Sequence, residues 1–137
     1  MKKVWTWRNI GLAPELVEKL QQEFEVRFFR RALEQDPDNV EILVHLGDIF
    51  SKRAMTVEGF EIDQRLVRLC PEEPNFHYNL ACSFSILGQL EMAYQSLEKA
   101  IQLGYQNFEH LKKDADLDNL RKDRRFLHFL KNLSPQT

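Results

Sequence analysis

The sequence predicts an all-α fold in which helical hairpins stack into a solenoid, an α-α superhelix, on the strength of three observations. The chain matches itself at an offset of about 34 residues, a spacing typical of paired-helix repeats. At that offset Leu46-Gly47 falls on Leu80-Ala81, Phe50 on Phe84, Gly59 on Ala93 and Pro37 on Pro71. Among its 137 residues, the five Gly and five Pro leave apolar, periodic runs of helical length between them. Small residues at Gly47, Ala81, Ala93 and Ala100 alternate with Leu80, Phe84, Leu90 and Leu97, so that two antiparallel helices can approach closely and fill the space between them.

The frame divides a single domain, 1–137, into units at 6–39, 40–73 and 74–107, followed by a segment at 108–133. No breaker interrupts Pro14 to Gln35, and Leu16, Leu20, Phe24 and Phe28 recur every fourth residue. A hairpin would need a turn at Leu20-Gln21-Gln22, which holds no Gly or Pro, so one continuous helix is favoured over a degenerate hairpin. Pro14 suits its first turn, and Asp36-Pro37 ends it.

Asp38 and Glu41 predict a capping box for a helix to about Arg53, and Thr56 predicts a cap for the next, to Cys70. Pro74 opens a helix that ends near Gly88, and another runs from Leu90 to Gly104; both glycines suit left-handed C-caps. Within 108–133, Phe126, Phe129, Leu130 and Leu133 form one apolar stripe, with Arg121, Lys122, Arg124 and Lys131 mostly facing away. Such a helix would close the solenoid end, covering the face that a further repeat would have buried.

Unit 74–107 resembles a tetratricopeptide repeat at nearly every signature position, through Tyr78-Asn79-Leu80-Ala81, Leu87-Gly88-Gln89-Leu90, Ala93, Leu97 and Ala100. The resemblance covers residues 25–107 well and 6–24 poorly, and the run from Asp114 to Phe126 is similar to the closing segment of many bacterial arrays. It implies a right-handed solenoid that catalyses nothing and binds a protein segment in a concave groove lined by the first helix of each repeat. The positions it assigns to that groove are Glu41, Val44, Asp48 and Ser51, then Asn75, Tyr78, Asn79, Cys82 and Ser85. Asn79 matches the asparagine that holds a peptide backbone by donating and accepting together. Lys and Arg are missing from these positions, so a neutral or basic segment is expected rather than an acidic tail. One position departs from the pattern: Asp63 stands where a large apolar residue is usual. Either the helix is rotated so that Phe60, Ile62, Leu66 and Leu69 pack instead, or Asp63 finds an Arg or a His such as His45.

Composition narrows the function. The net charge of −2, from 19 Lys plus Arg against 21 Asp plus Glu, offers no long-range attraction to nucleic acid or anionic membrane. Cys70 and Cys82 lack disulfide or zinc spacing and suit a reducing cytoplasm; no secretion signal or spanning segment is read. No phosphate loop, HExxH, GxSxG or EF-hand occurs, and His45, His77, His110 and His128 pair with no ligand at a recognised spacing, so no enzyme, cofactor or metal is expected. Cys82 reads as a small packed thiol. The basic cluster Arg121, Lys122, Arg124 and Arg125 reads as a solvated helix face before a phosphate contact. Trp5 and Trp7 offer an alternative role: they cover the first helix or insert into a second copy, making the chain a homo-oligomeric scaffold joined by this arm or by a solenoid end.

Overall fold

The computed structural model describes residues 11–133, so Trp5 and Trp7 lie outside the described residues. The described chain is helical throughout: α1 (Pro14–Gln35), α2 (Val40–Lys52), α3 (Thr56–Leu69), α4 (Pro74–Ile86), α5 (Leu90–Gln102), then a cap of α6 (Phe108–Lys113), a 3₁₀ turn (Ala115–Leu117), α7 (Asp118–Arg121) and α8 (Arg125–Asn132). Residues 14–35 thus form one uninterrupted helix, with Pro14 in its first turn, and not a hairpin.

The hairpins α2–α3 and α4–α5 pack as the small residues require. A Cβ on Gly47 would meet Ile62 Cγ2 at 3.4 Å, and Ala81, Ala93 and Ala100 are fully buried. One core gathers Val26, Leu43, Leu46, Phe50, Ile62 and Leu66 from α1–α3. A second gathers Leu80, Phe84 and Leu97 with Leu111, Leu117, Leu120 and Phe126 of the cap. Phe60 meets Phe84 edge-to-face at 5.1 Å and joins the two. Three helices end in the same way, with a backbone N–H reaching the carbonyl five residues back: Met55 to Phe50, Gln89 to Phe84 and Tyr105 to Ala100, at 2.8–2.9 Å. Gly88 and Gly104 supply the left-handed residue at two of these ends (φ +77° and +111°), and Ala54 supplies it at the other (φ +55°).

Three local expectations are corrected. Asn39, not Asp38, caps α2, accepting from Ile42 N at 3.1 Å; the helix begins one residue later than the capping box requires. Thr56 is the first residue of α3 and Met55 occupies the cap position without a side-chain bond, because the turn after α2 is too short to leave Thr56 outside the helix. The cap is not one helix. Asp114 and Asp123 turn their carboxylates onto the backbone N–H two residues ahead, at 3.0 Å to Asp116 and 2.8 Å to Arg125, and such local bonds compete with helix continuation. Phe126 is buried, while Phe129 and Leu130 are half-buried, Phe129 lying 5.4 Å from the ring of Tyr94 on α5. The fully buried cap residues are instead Leu111, Leu117 and Leu120. Arg121 turns inward, donating to the carbonyls of Leu111 and Asp114 and to the Asp118 carboxylate.

Candidate functional site

The concave side holds a cavity of about 560 Å³ between α2, the start of α3, α4 and the cap. Of the positions assigned from sequence, Asp48, Ser51, Tyr78, Asn79 and Cys82 line it, so neighbouring units do bring Asp48 and Cys82 to one hollow. Glu41, Val44, Asn75 and Ser85 do not line it. Ser85 is fully buried, its carbonyl accepting from Asn119 Nδ2 at 2.8 Å, and the Asn75 side chain bonds Glu73 at 3.1 Å.

The cap changes what α4 presents. It packs over the face of α4 that would otherwise be open groove, leaving Tyr78 only 5% and Cys82 only 7% exposed. Tyr78 donates its hydroxyl to Asp114 Oδ2 at 2.7 Å and stacks on Tyr105 at 4.3 Å between ring centres. His110 Nε2 lies 3.1 Å from the same oxygen, and the Cys82 thiol donates to it at 3.7 Å. Tyr78 is therefore a wall of the cavity fixed by the cap, not a free ring on an open surface. Asp48, Ser51 and Asn79 remain exposed.

The site is acidic. Asp48, Asp63, Asp114 and Asp116 line it with His110, and neither Lys nor Arg is among its lining residues. Asp63 settles between the two alternatives in an unforeseen way: Ile62 and Leu66 are buried as the rotated helix requires, and Asp63 accepts from Ser83 Oγ at 2.6 Å, while His45 stacks on Phe29. Burial pushes the Asp63 carboxyl up to about 6, with the Ser83 hydrogen bond opposing it. Burial, then the charges of Asp114 and Asp118, also raises Asp116. The sulfur of Cys82 and carboxylate oxygens of Asp114 and Asp116 lie within 4.8 Å of one another. Burial first, then Asp114 and Asp116, drives the thiol well above its ordinary range, and Asp114 is already filled by three donors, so the cluster acts as a hydrogen-bonded staple holding the cap to α4. Sequence reading missed His110, Asp114 and Asp116 as wall residues; the one signal for them was the Asp114–Asp116 spacing just past the last repeat.

Stacked helical hairpins around a hollow walled by hydrogen-bonded carboxylates define a helical-repeat protein. The tetratricopeptide repeat matches at residues 74–104, the unit whose signature is fullest, so the chain carries a tetratricopeptide repeat there. It is 29% identical over 127 residues to a chloroplastic protein of Arabidopsis thaliana, across 90% of this chain and 36% of that protein. It is 26% identical over 98 residues to Superkiller protein 3 of Saccharomyces cerevisiae, across 72% of this chain and 7% of that protein. The chain thus spans about a third of the first relative and a small part of the second. The crystal structure of MamA shares the fold, with a TM-score of 0.66 at 18% identity over 89% of this chain and 73% of that one.

Proposed function

We propose that the chain is a non-enzymatic adaptor that holds a basic or neutral segment of a partner protein in the hollow between α2 and α4. A protein-interaction role follows in general from the family. The observation that carries the finer reading is the charge of the hollow: four carboxylates line it without Lys or Arg, and a concave surface of one sign concentrates ligands of the other. Asp48 and Asn79, both exposed, would meet the segment, Asn79 through its backbone and Asp48 through a Lys or Arg side chain. The free Cys70 and Cys82 are in keeping with a cytoplasmic setting, and among the described residues no helix is long and apolar enough to cross a membrane.

Selection from a random peptide display library tests this. Basic peptides should be enriched, and Asp48→Lys should weaken the selected basic peptides roughly threefold to tenfold while sparing neutral ones. Enrichment of acidic peptides, or indifference of basic ones to Asp48→Lys, refutes the reading. A second reading, assembly of copies into a scaffold, is favoured by a separate observation, the exposed Leu and Phe stripe of α1.

A further inference from the structure

Leu12, just before α1, and Leu16, Leu20, Phe24 and Phe28 along it are 38%, 44%, 48%, 69% and 58% exposed, a row at four-residue spacing that winds gradually around the helix. Leu12, Ala13 and Leu16 stand one repeat length before Leu46, Gly47 and Phe50, and two before Leu80, Ala81 and Phe84. In those later units the same positions are core: Leu46, Phe50, Leu80 and Phe84 are at most 8% exposed. The first unit therefore carries part of the core signature of a repeat's first helix, but α1 continues through Leu20-Gln21-Gln22 and does not fold that segment back. Among the described residues the place it would take holds a hollow of about 340 Å³ lined by Phe24, Phe28, Phe29, His45, Asp48 and Ile49 among others.

We propose that a second copy of this chain fills that place: two copies pair antiparallel along α1, the N-terminal half of each completing the first hairpin of the other. Setting Leu12 opposite Phe28, Leu16 opposite Phe24, and Leu20 opposite Leu20 of the second copy uses the whole stripe. A helix that bridges where a hairpin turn is missing is the arrangement by which identical elements are exchanged between protomers.

Charge selects the same register. Glu15, Lys19, Glu23 and Arg27 run along one flank of the stripe at its own spacing. In an antiparallel two-fold pair this flank faces itself, setting Glu15 against Arg27 and Lys19 against Glu23 of the second copy, opposite signs at every step. A slip of one turn either way sets Lys19 against Lys19, or Glu23 against Glu23. The five apolar side chains offer on the order of 500 Å² per copy, about 1,000 Å² together, the lower bound for a specific interface. The dimer is accordingly weak and concentration-dependent.

Sedimentation equilibrium of the full chain should show a monomer–dimer equilibrium at micromolar concentration. Lys19→Glu and Glu23→Lys should each weaken it roughly tenfold, and the two together should restore it. Leu20→Cys, in a chain with Cys70→Ser, should cross-link to itself on oxidation, whereas Met92→Cys on α5 should not. Apart from the half-buried Cys70 these positions are exposed, so circular dichroism should find the variants fully helical. A monomer at every concentration overturns the proposal, as does a dimer indifferent to both charge reversals. A monomer whose tryptophan emission shifts red on Phe24→Ala also overturns it, and assigns the stripe to residues 1–10 of the same chain.

Discussion

Replacing Asp114 with Ala should unlatch the cap, and the structure sets how much that costs. The Asp114 side chain is 13% exposed and accepts from the Tyr78 hydroxyl at 2.7 Å, while its other oxygen accepts from Asp116 N at 3.0 Å. Removing the carboxylate leaves a buried hydroxyl without an acceptor, worth about 1–3 kcal/mol, and a turn without its cap, worth about 0.5–2 kcal/mol. Together a loss of about 1.5–5 kcal/mol is expected, a large part of the total stability of a protein this size. Tyr78→Phe removes only the donor. Asp114 keeps its bond from Asp116, so about 1 kcal/mol is expected there. Once Tyr78 is Phe, no hydroxyl remains to be orphaned by Asp114→Ala. The double variant should therefore fall short of the sum of the singles by about 1 kcal/mol or more in urea unfolding followed by circular dichroism. Additivity within about 0.5 kcal/mol would show that the Tyr78–Asp114 bond does not hold the cap, and the staple would have to be abandoned.

The other predictions concern α3 and the turn before it. Asp63 binds its proton more tightly folded than unfolded, so its contribution is fully present below about pH 4 and is lost as the pH rises through about 6. Asp63→Asn keeps an acceptor for Ser83 and should stabilise the protein at pH 7.5 by about 1–3 kcal/mol, flattening that slope; an unchanged pH profile would refute it. Ala54 sits in the left-handed region, as Gly88 does at the same place in the next repeat. Ala54→Gly should raise stability by about 0.5–1 kcal/mol and Gly88→Ala should lower it by about 1–2 kcal/mol, both read as shifts of the unfolding midpoint.

The hairpins were legible because their determinants are local or periodic. Gly47, Ala81 and Ala93 recur in register with the large residues they admit, and Pro14, Pro74, Gly88 and Gly104 each act on the backbone where they stand. What failed was resolution at the helix starts. Asp38 and Asn39 are equally good caps one residue apart, and only the path of the chain past Pro37 chooses between them. The partner of Asp63 was illegible for another reason. A serine two residues after Ala81 carries no periodic signal, and its hydroxyl is identified as the donor only when α3 and α4 are seen side by side.

The hollow was partly legible, and part of what failed lies where the repeats give way to the cap. Asp114 occupies, one repeat further on, the position held by Leu46 and Leu80. Inside the array that position faces core; past α5 the repeat frame gives way to the cap, and a carboxylate there can turn back onto Tyr78 and close α4. Of the α2 positions carried over from the family, Asp48 and Ser51 line the hollow, while Glu41 and Val44 do not. The positions of α4 belong to the last repeat before the cap, and the cap covers Tyr78, Cys82 and Ser85 while adding His110, Asp114 and Asp116 to the wall. Both ends of this short array thus differ from its middle for one physical cause. A repeat buries its apolar face only against a neighbour: the cap supplies that neighbour for α4 and α5, and the stripe of α1 is left without one among the described residues.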